Sequence, residues 1–152
     1  SVTQKPKIII LEGWCVGIDA QSSAELTTPV NEFEQTQDPS RSWREYVNNT
    51  LSTDYNRIFA NIDYLIMLKA PSFKNVYTWR CEQEHKLIAS LSANSEESGA
   101  QGKKPKKTMS DEEILNFIQF YQRLTEHALQ TLPVKSDCVF MLNERRGISQ
   151  CQ

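Results

Sequence analysis

Three short runs of the chain are apolar without alternation: Ile8-Ile9-Ile10-Leu11 after Lys7, Tyr64-Leu65-Ile66-Met67-Leu68, and Cys138-Val139-Phe140-Met141-Leu142. Continuous hydrophobicity of this kind predicts strands buried on both faces, as in a parallel sheet. Between them the apolar positions recur at helical spacing. Trp43, Val47, Leu51, Tyr55, Ile58, Phe59 and Ile62 form one series, with Asp38-Pro39 as N-cap and first helical residue and Ser52-Thr53 as an interruption. Ser72 caps a second series, Phe73, Val76, Arg80, Glu84, Leu87 and Leu91. Ser110-Asp111-Glu112-Glu113 has the form of a capping box. Behind it run Ile114, Phe117, Ile118, Tyr121, Leu124, Ala128 and Leu129, the apolar stripe of a third helix. Strands alternating with helices predict an α/β fold, a parallel sheet with helices on both faces. Three strands are few for such a sheet, and the first opens the chain with no helix before it, so the pattern reads as an incomplete domain.

Residues 92–108 break the pattern. They are polar, rich in small residues and carry Lys103-Lys104-Pro105-Lys106-Lys107, which predicts a disordered surface insertion or lid. The lysine run reads as a solvated segment rather than a phosphate or nucleic-acid site.

Composition narrows the classes. The 152 residues suit one domain with its own core, and 17 basic against 19 acidic residues leave a net charge of −2. That balance argues against a dedicated nucleic-acid binder, which usually carries a basic surplus. No apolar run approaches the roughly 20 residues of a membrane helix, and the first residues, Ser-Val-Thr-Gln-Lys-Pro, show no signal region. The expectation is a cytoplasmic chain whose partners include neither nucleic acid nor membrane. Cys15, Cys81, Cys138 and Cys151 form no CxxC pair and read as free, mostly buried thiols.

Candidate chemistry gathers at a few points. Glu12-Gly13 closes the first strand, where a carboxylate can reach a metal ion or simply end the strand and cap a turn. Arg80 and Glu84 stand i, i+4 on one helix, which suits either a solvated ion pair or a guanidinium that meets a transferring phosphoryl group. Arg145-Arg146, just after the third strand, can approach a nucleotide base or face solvent. His127, beside the apolar stripe of its helix, reads as structural. The glycines are Gly13, Gly17, Gly99, Gly102 and Gly147, from which no GxxxxGK[ST] loop can be drawn.

Several longer segments, taken in order, resemble a known family. They are IIILEGWCVG (8–17), PVNEFE (29–34), WREYVN (43–48), APSF (70–73), WRCEQEHKL (79–87), MSDEEI (109–114) and FIQFYQRLT (117–125). Together they are similar to the D-glycerate 3-kinase family of P-loop kinases, relatives of uridine kinase, pantothenate kinase and phosphoribulokinase. The resemblance covers nearly the whole chain outside 92–108. It implies ATP-dependent phosphorylation of D-glycerate to 3-phosphoglycerate with Mg²⁺. Glu12 matches the strand-end acidic residue that helps hold the metal. Arg80 matches a lid-region arginine placed to meet the phosphates, and Arg123 is a second candidate. Asn31 and Glu34 fall in a segment near the sugar-acid side, and Arg145 and Arg146 are the candidates at the nucleotide. The family's P-loop, and the acidic segment that supplies a catalytic base, belong upstream of Ser1. Residues 1–152 are therefore expected to be the C-terminal part of a single P-loop kinase domain, lacking the P-loop strand that would lie between those at 8–11 and 64–68. The missing N-terminal half is then the implied partner. Two alternatives stay open: a non-catalytic nucleotide-binding or interaction module, and a kinase of the same superfamily with another acceptor, such as a nucleoside.

Overall fold

A computed structural model describes residues 6–98 and 108–152. Helix α1 (Glu32–Gln37) leads to α2 (Ser42–Thr50), which widens into a π-helical turn at Leu51–Tyr55 before α3 (Asn56–Phe59). Strand β1 (Ile66–Lys69) is followed by the long α4 (Phe73–Ser98) and α5 (Asp111–Thr131), then by a short 3₁₀ turn at Leu132–Val134. Strands β2 (Cys138–Leu142) and β3 (Ile148–Cys151) close the described chain. The sheet order is β1-β2-β3. β1 and β2 run parallel with Ile66 opposite Cys138, and α4 and α5 supply the crossover that parallel neighbours require. β3 returns antiparallel to β2.

Local signals set most boundaries. Ser110 and Glu113 form the reciprocal capping box. The Asn75 N–H donates to Ser72 Oγ at the start of α4. Asp38 caps α2 from outside the expected position: its carboxylate accepts from the N–H groups of Trp43 and Arg44. The Ser52-Thr53 interruption is the π-helical turn, where each hydroxyl donates to the carbonyl of Asn49 and competes with the regular ladder.

The core comprises Ile18, Leu51, Met67, Ala128, Leu132 and Val139. It draws the π-helical turn, α5 and the segment at Cys15–Ala20 onto the sheet face that carries Met67 and Val139. Ile114 and Ile118 of α5 are fully buried, each worth about 1.5–3 kcal/mol of transfer free energy.

Five expectations need correction. The sheet is mixed, because β3 is antiparallel and its short, exposed Ile-Ser-Gln-Cys sequence carries little strand signal. Its two faces are not both covered. On the side opposite the core, Ile66 and Leu68 are 55% and 64% exposed. Residues 8–11 form no strand; Ile8, Ile9 and Ile10 are 79%, 82% and 86% exposed. A strand needs a neighbour for its N–H and C=O groups, and no described strand lies beside them. Finally, α4 continues through residues 92–98, the first part of the expected loop; residues 99–107 lie outside the described residues. The thiols are not mostly buried either: Cys15, Cys81 and Cys138 are half-buried and Cys151 is exposed.

Candidate active site

The carboxyl ends of parallel strands are where open α/β sheets place their ligands. At that end β1 runs out into Ala70-Pro71-Ser72 and the first turns of α4, and β2 runs into the turn Asn143–Gly147. A cleft of about 350 Å³ opens there, lined by Trp14, Val76, Trp79, Arg80, Gln83 and Arg146.

Each wall is fixed by its own local chemistry. Trp14 donates its indole N–H to Thr125 Oγ1 at 2.9 Å and stacks on Tyr121 with ring centroids 5.2 Å apart. Behind it the chain reverses through two left-handed residues, Cys15 and Gly17. A Cβ on Gly17 would stand 3.0 Å from Leu65 Cδ2, so the left-handed φ and the tight space both favour glycine there. Cys15 is half-buried, and desolvation pushes its thiol pKa up to about 11.

Arg80 leans along α4 to Glu84, Nη1 to Oε2, at 2.9 Å. Glu84 is buried and also accepts the N–H of Met109 at 3.0 Å. That backbone bond, together with Arg80, outweighs desolvation and holds the Glu84 carboxyl below its usual range. Glu84 therefore ties the approach to α5 onto α4 and keeps Arg80 at the cleft wall. Next to it on α4, Trp79 donates its indole N–H to the Glu144 carbonyl at 2.8 Å. Arg146 sits over the Trp79 ring, 5.9 Å from its centroid, and pairs with Glu82. It holds a left-handed φ of 64° in the hairpin turn, a conformation that costs a non-glycine residue free energy and that tends to cluster at functional sites.

Arg123, Asn31 and Glu34 meet elsewhere. Glu34 accepts from Arg123 Nε and Nη2, both at 2.7 Å, from Arg44 Nη1 at 3.1 Å and from the Val30 N–H at 3.0 Å. Arg123 also donates to the carbonyls of Glu25 and Thr28, and Arg44 to Asp38. All four charged residues are buried. Burial alone would raise the Glu34 carboxyl, but the bonds from Arg123 and Val30 and the charges of Arg123 and Arg44 hold it below the usual range. Asn31 caps α1 and donates to the Gln119 carbonyl on α5. This cluster clamps residues 25–44 to α5. A crevice beside it is lined by Glu25, Arg123, Glu126 and His127. Its charged groups are engaged with Ser22, Glu34 and Gln122, and the unpartnered His127 Nε2 is closed to solvent.

The structure thus brings Arg80 and Arg146 into one cleft and places Arg123, Asn31 and Glu34 in the clamp. Glu12 is exposed, two residues before Trp14, and Arg145 is exposed on the hairpin turn. The cleft walls Trp14 and Trp79 stand in the quoted segments 8–17 and 79–87. Nothing in the sequence marked them as site residues beyond their position, directly after Glu12-Gly13 and directly before Arg80.

No family model matches the chain. It is 34% identical over 128 residues to a protein of Schizosaccharomyces pombe named uncharacterized kinase mug58, across 84% of this chain and 40% of that protein. Its structure matches D-glycerate 3-kinase from Cryptococcus neoformans var. grubii with a TM-score of 0.67 at 20% identity, covering 99% of this chain and 51% of that one. The chain has the fold of part of a D-glycerate 3-kinase. It spans about half the length of that kinase and less of the S. pombe relative. Among the described residues no helix is long and apolar enough to cross a membrane.

Proposed function

We propose that this chain is part of an ATP-dependent small-molecule kinase that phosphorylates D-glycerate, and that the cleft between Trp14, α4 and the β2–β3 turn faces the nucleotide. The observation that carries this reading is that Arg80 and Arg146 line one cleft with Trp14 and Trp79, at the carboxyl ends of parallel strands. Guanidinium groups bind phosphate oxygens in a fixed, bidentate geometry, and an indole face offers a flat apolar surface to a base. The kinase-named relatives support the same class.

Mg²⁺ fits this chain only as a shared ion. Among the described residues no group of three or more acidic, His or Cys side chains could hold a metal. Mg²⁺ is commonly held by one or two carboxylates plus substrate phosphates, so Glu12 would supply a single ligand. When bound, the ion would neutralise charge on the phosphates.

The 152 residues contain no P-loop sequence, so the proposal assigns the phosphate cradle and the catalytic base to polypeptide outside them. The exposed apolar side chains of Ile66 and Leu68, and of Ile8–Ile10, support that assignment. A neighbouring strand would bury them and satisfy their backbone groups.

The test is product analysis with the natural polypeptide that carries this sequence, given Mg·ATP and D-glycerate. Formation of 3-phosphoglycerate is expected. Phosphorylation of a nucleoside instead would keep the kinase and change the acceptor. Nucleotide binding with no transfer to any acceptor would favour a binding module.

A further inference from the structure

β2 and β3 pair with Phe140 opposite Cys151 and Met141 opposite Gln150. Val139 and Gln152 exchange both backbone hydrogen bonds, at 2.9 and 3.0 Å. Residues two apart on a strand share a face, so Cys138 stands on the face of Phe140 and meets Cys151 diagonally across the ladder. Their sulfurs are 3.6 Å apart. Cys138 is half-buried and Cys151 is exposed.

We propose that Cys138 and Cys151 are a modification site, closing to a reversible disulfide that clips the open end of the β2–β3 hairpin. A disulfide holds its sulfurs at about 2.05 Å, so the pair must approach by about 1.5 Å, within reach of side-chain rotation and a small shift at the strand end. The oxidant is a low-molecular-weight disulfide, RSSR. Cys151, the exposed thiol, loses its proton and attacks one sulfur of RSSR, forming Cys151–S–S–R and releasing RS⁻. Cys138 then loses its proton and attacks Cys151 Sγ, and the second RS⁻ leaves. The protein gives up two protons and two electrons, and RSSR is reduced to two RSH. The hydrogen bond with Cys151 raises the pKa of Cys138, consistent with Cys138 holding its proton while Cys151 attacks first. The clip lies at the end of the hairpin opposite the turn that carries Arg146.

The full chain is exposed to excess oxidised glutathione, quenched, and mapped by mass spectrometry without reduction. Of the four thiols in these 152 residues, two should disappear, with no glutathione retained on Cys138 or Cys151, with their peptides linked, and with full reversal by a reductant. Closure should run at least about tenfold faster in native buffer than in denaturant, because folding holds the two sulfurs together. C138S should instead retain glutathione on Cys151. Retention of glutathione on Cys138 or Cys151 of the unmutated chain, a link to Cys15 or Cys81, four surviving thiols, or equal rates in native buffer and denaturant would each overturn the proposal.

Discussion

Two arginines on neighbouring helices show how differently one side chain can be used. Arg123 of α5 gives four hydrogen bonds, two to Glu34 and one each to the carbonyls of Glu25 and Thr28, and its side chain is 7% exposed. Arg80 of α4 pairs with Glu84, and its side chain is 22% exposed at a cleft wall. A guanidinium has five N–H donors. One with four engaged by its own chain holds the fold; one tethered on a single side and open to a cleft can meet a ligand. Sequence position did not separate them. Their hydrogen-bond partners do.

The largest expected effect breaks the comparison from the clamp side. Arg123→Ala leaves Glu34 buried beside Arg44 with its two shortest bonds gone, and removing one partner of a buried ion pair costs about 3–5 kcal/mol. Arg80→Ala should cost less, about 1–3 kcal/mol: it also takes a hydrogen-bonding partner from a buried carboxylate, but Glu84 keeps the Met109 N–H. Urea denaturation of the natural polypeptide carrying each variant reads the difference. A stable Arg123→Ala protein that had lost only activity would move Arg123 from the clamp to the chemistry.

Activity should reverse the ranking. If the cleft faces the transferring phosphoryl group, Arg80→Ala should lower kcat on the order of a hundredfold or more with folding intact, as for other arginines that stabilise phosphoryl transfer. Arg80→Lys should recover only part of this, because an ammonium lacks the bidentate geometry. Steady-state kinetics with saturating Mg·ATP makes the measurement. A kcat within about threefold of the parent, a barrier change under ~1 kcal/mol, would reduce Arg80 to a helix ion pair.

A smaller effect concerns pH. The Glu34 carboxyl is held below its usual range in the folded chain, so the unfolded chain binds its proton at higher pH. Its contribution to stability is therefore complete above the ordinary glutamate range, near pH 4.3, and is lost as pH falls through the lowered folded value. Glu34→Gln should flatten the acid limb of the stability–pH curve. An unchanged acid limb would remove Glu34 as the titrating centre of the clamp.

How much of this was legible follows from range. Short-range signals carried through: Ser110 with Glu113, Ser72, the Ser52-Thr53 interruption, and the apolar runs at 66–69 and 138–142 all depend on residues within a turn or a strand of one another. The run at 8–11 reads as a buried strand, and its composition is right for one, yet a strand exists only with a partner, which no local pattern can supply. β3 had the opposite fate: a weak sequence becomes a strand because β2 lies beside it. The site divided along the same line. Arg80 and Arg146 could be nominated from their neighbours in the chain, but Glu34 reaches Arg123 across 89 residues and Trp14 reaches Thr125 across 111. Without those contacts, a clamp residue and a cleft residue look alike.

The smallest expected effect sharpens the cleft itself. Trp79 joins α4 to the β2–β3 turn through its indole N–H to the Glu144 carbonyl, and its ring lies under the Arg146 guanidinium. Trp79→Phe keeps a ring for Arg146 but deletes the hydrogen bond, a change worth about 1 kcal/mol. A phenyl face also attracts a cation more weakly than an indole face does. Arg146 would then be held less firmly in its left-handed conformation. The nucleotide KM should rise about threefold to tenfold, as one such bond allows, with kcat nearly unchanged, because orientation at the nucleotide rim acts on ground state and transition state alike. Arg146→Gly separates the two contributions. Glycine adopts the left-handed φ without strain, so the turn should persist and stability should hold or rise while nucleotide affinity falls. If Arg146→Gly left the nucleotide KM unchanged, the guanidinium would serve the hairpin alone, and the binding face of the cleft would narrow to Trp14 and Arg80.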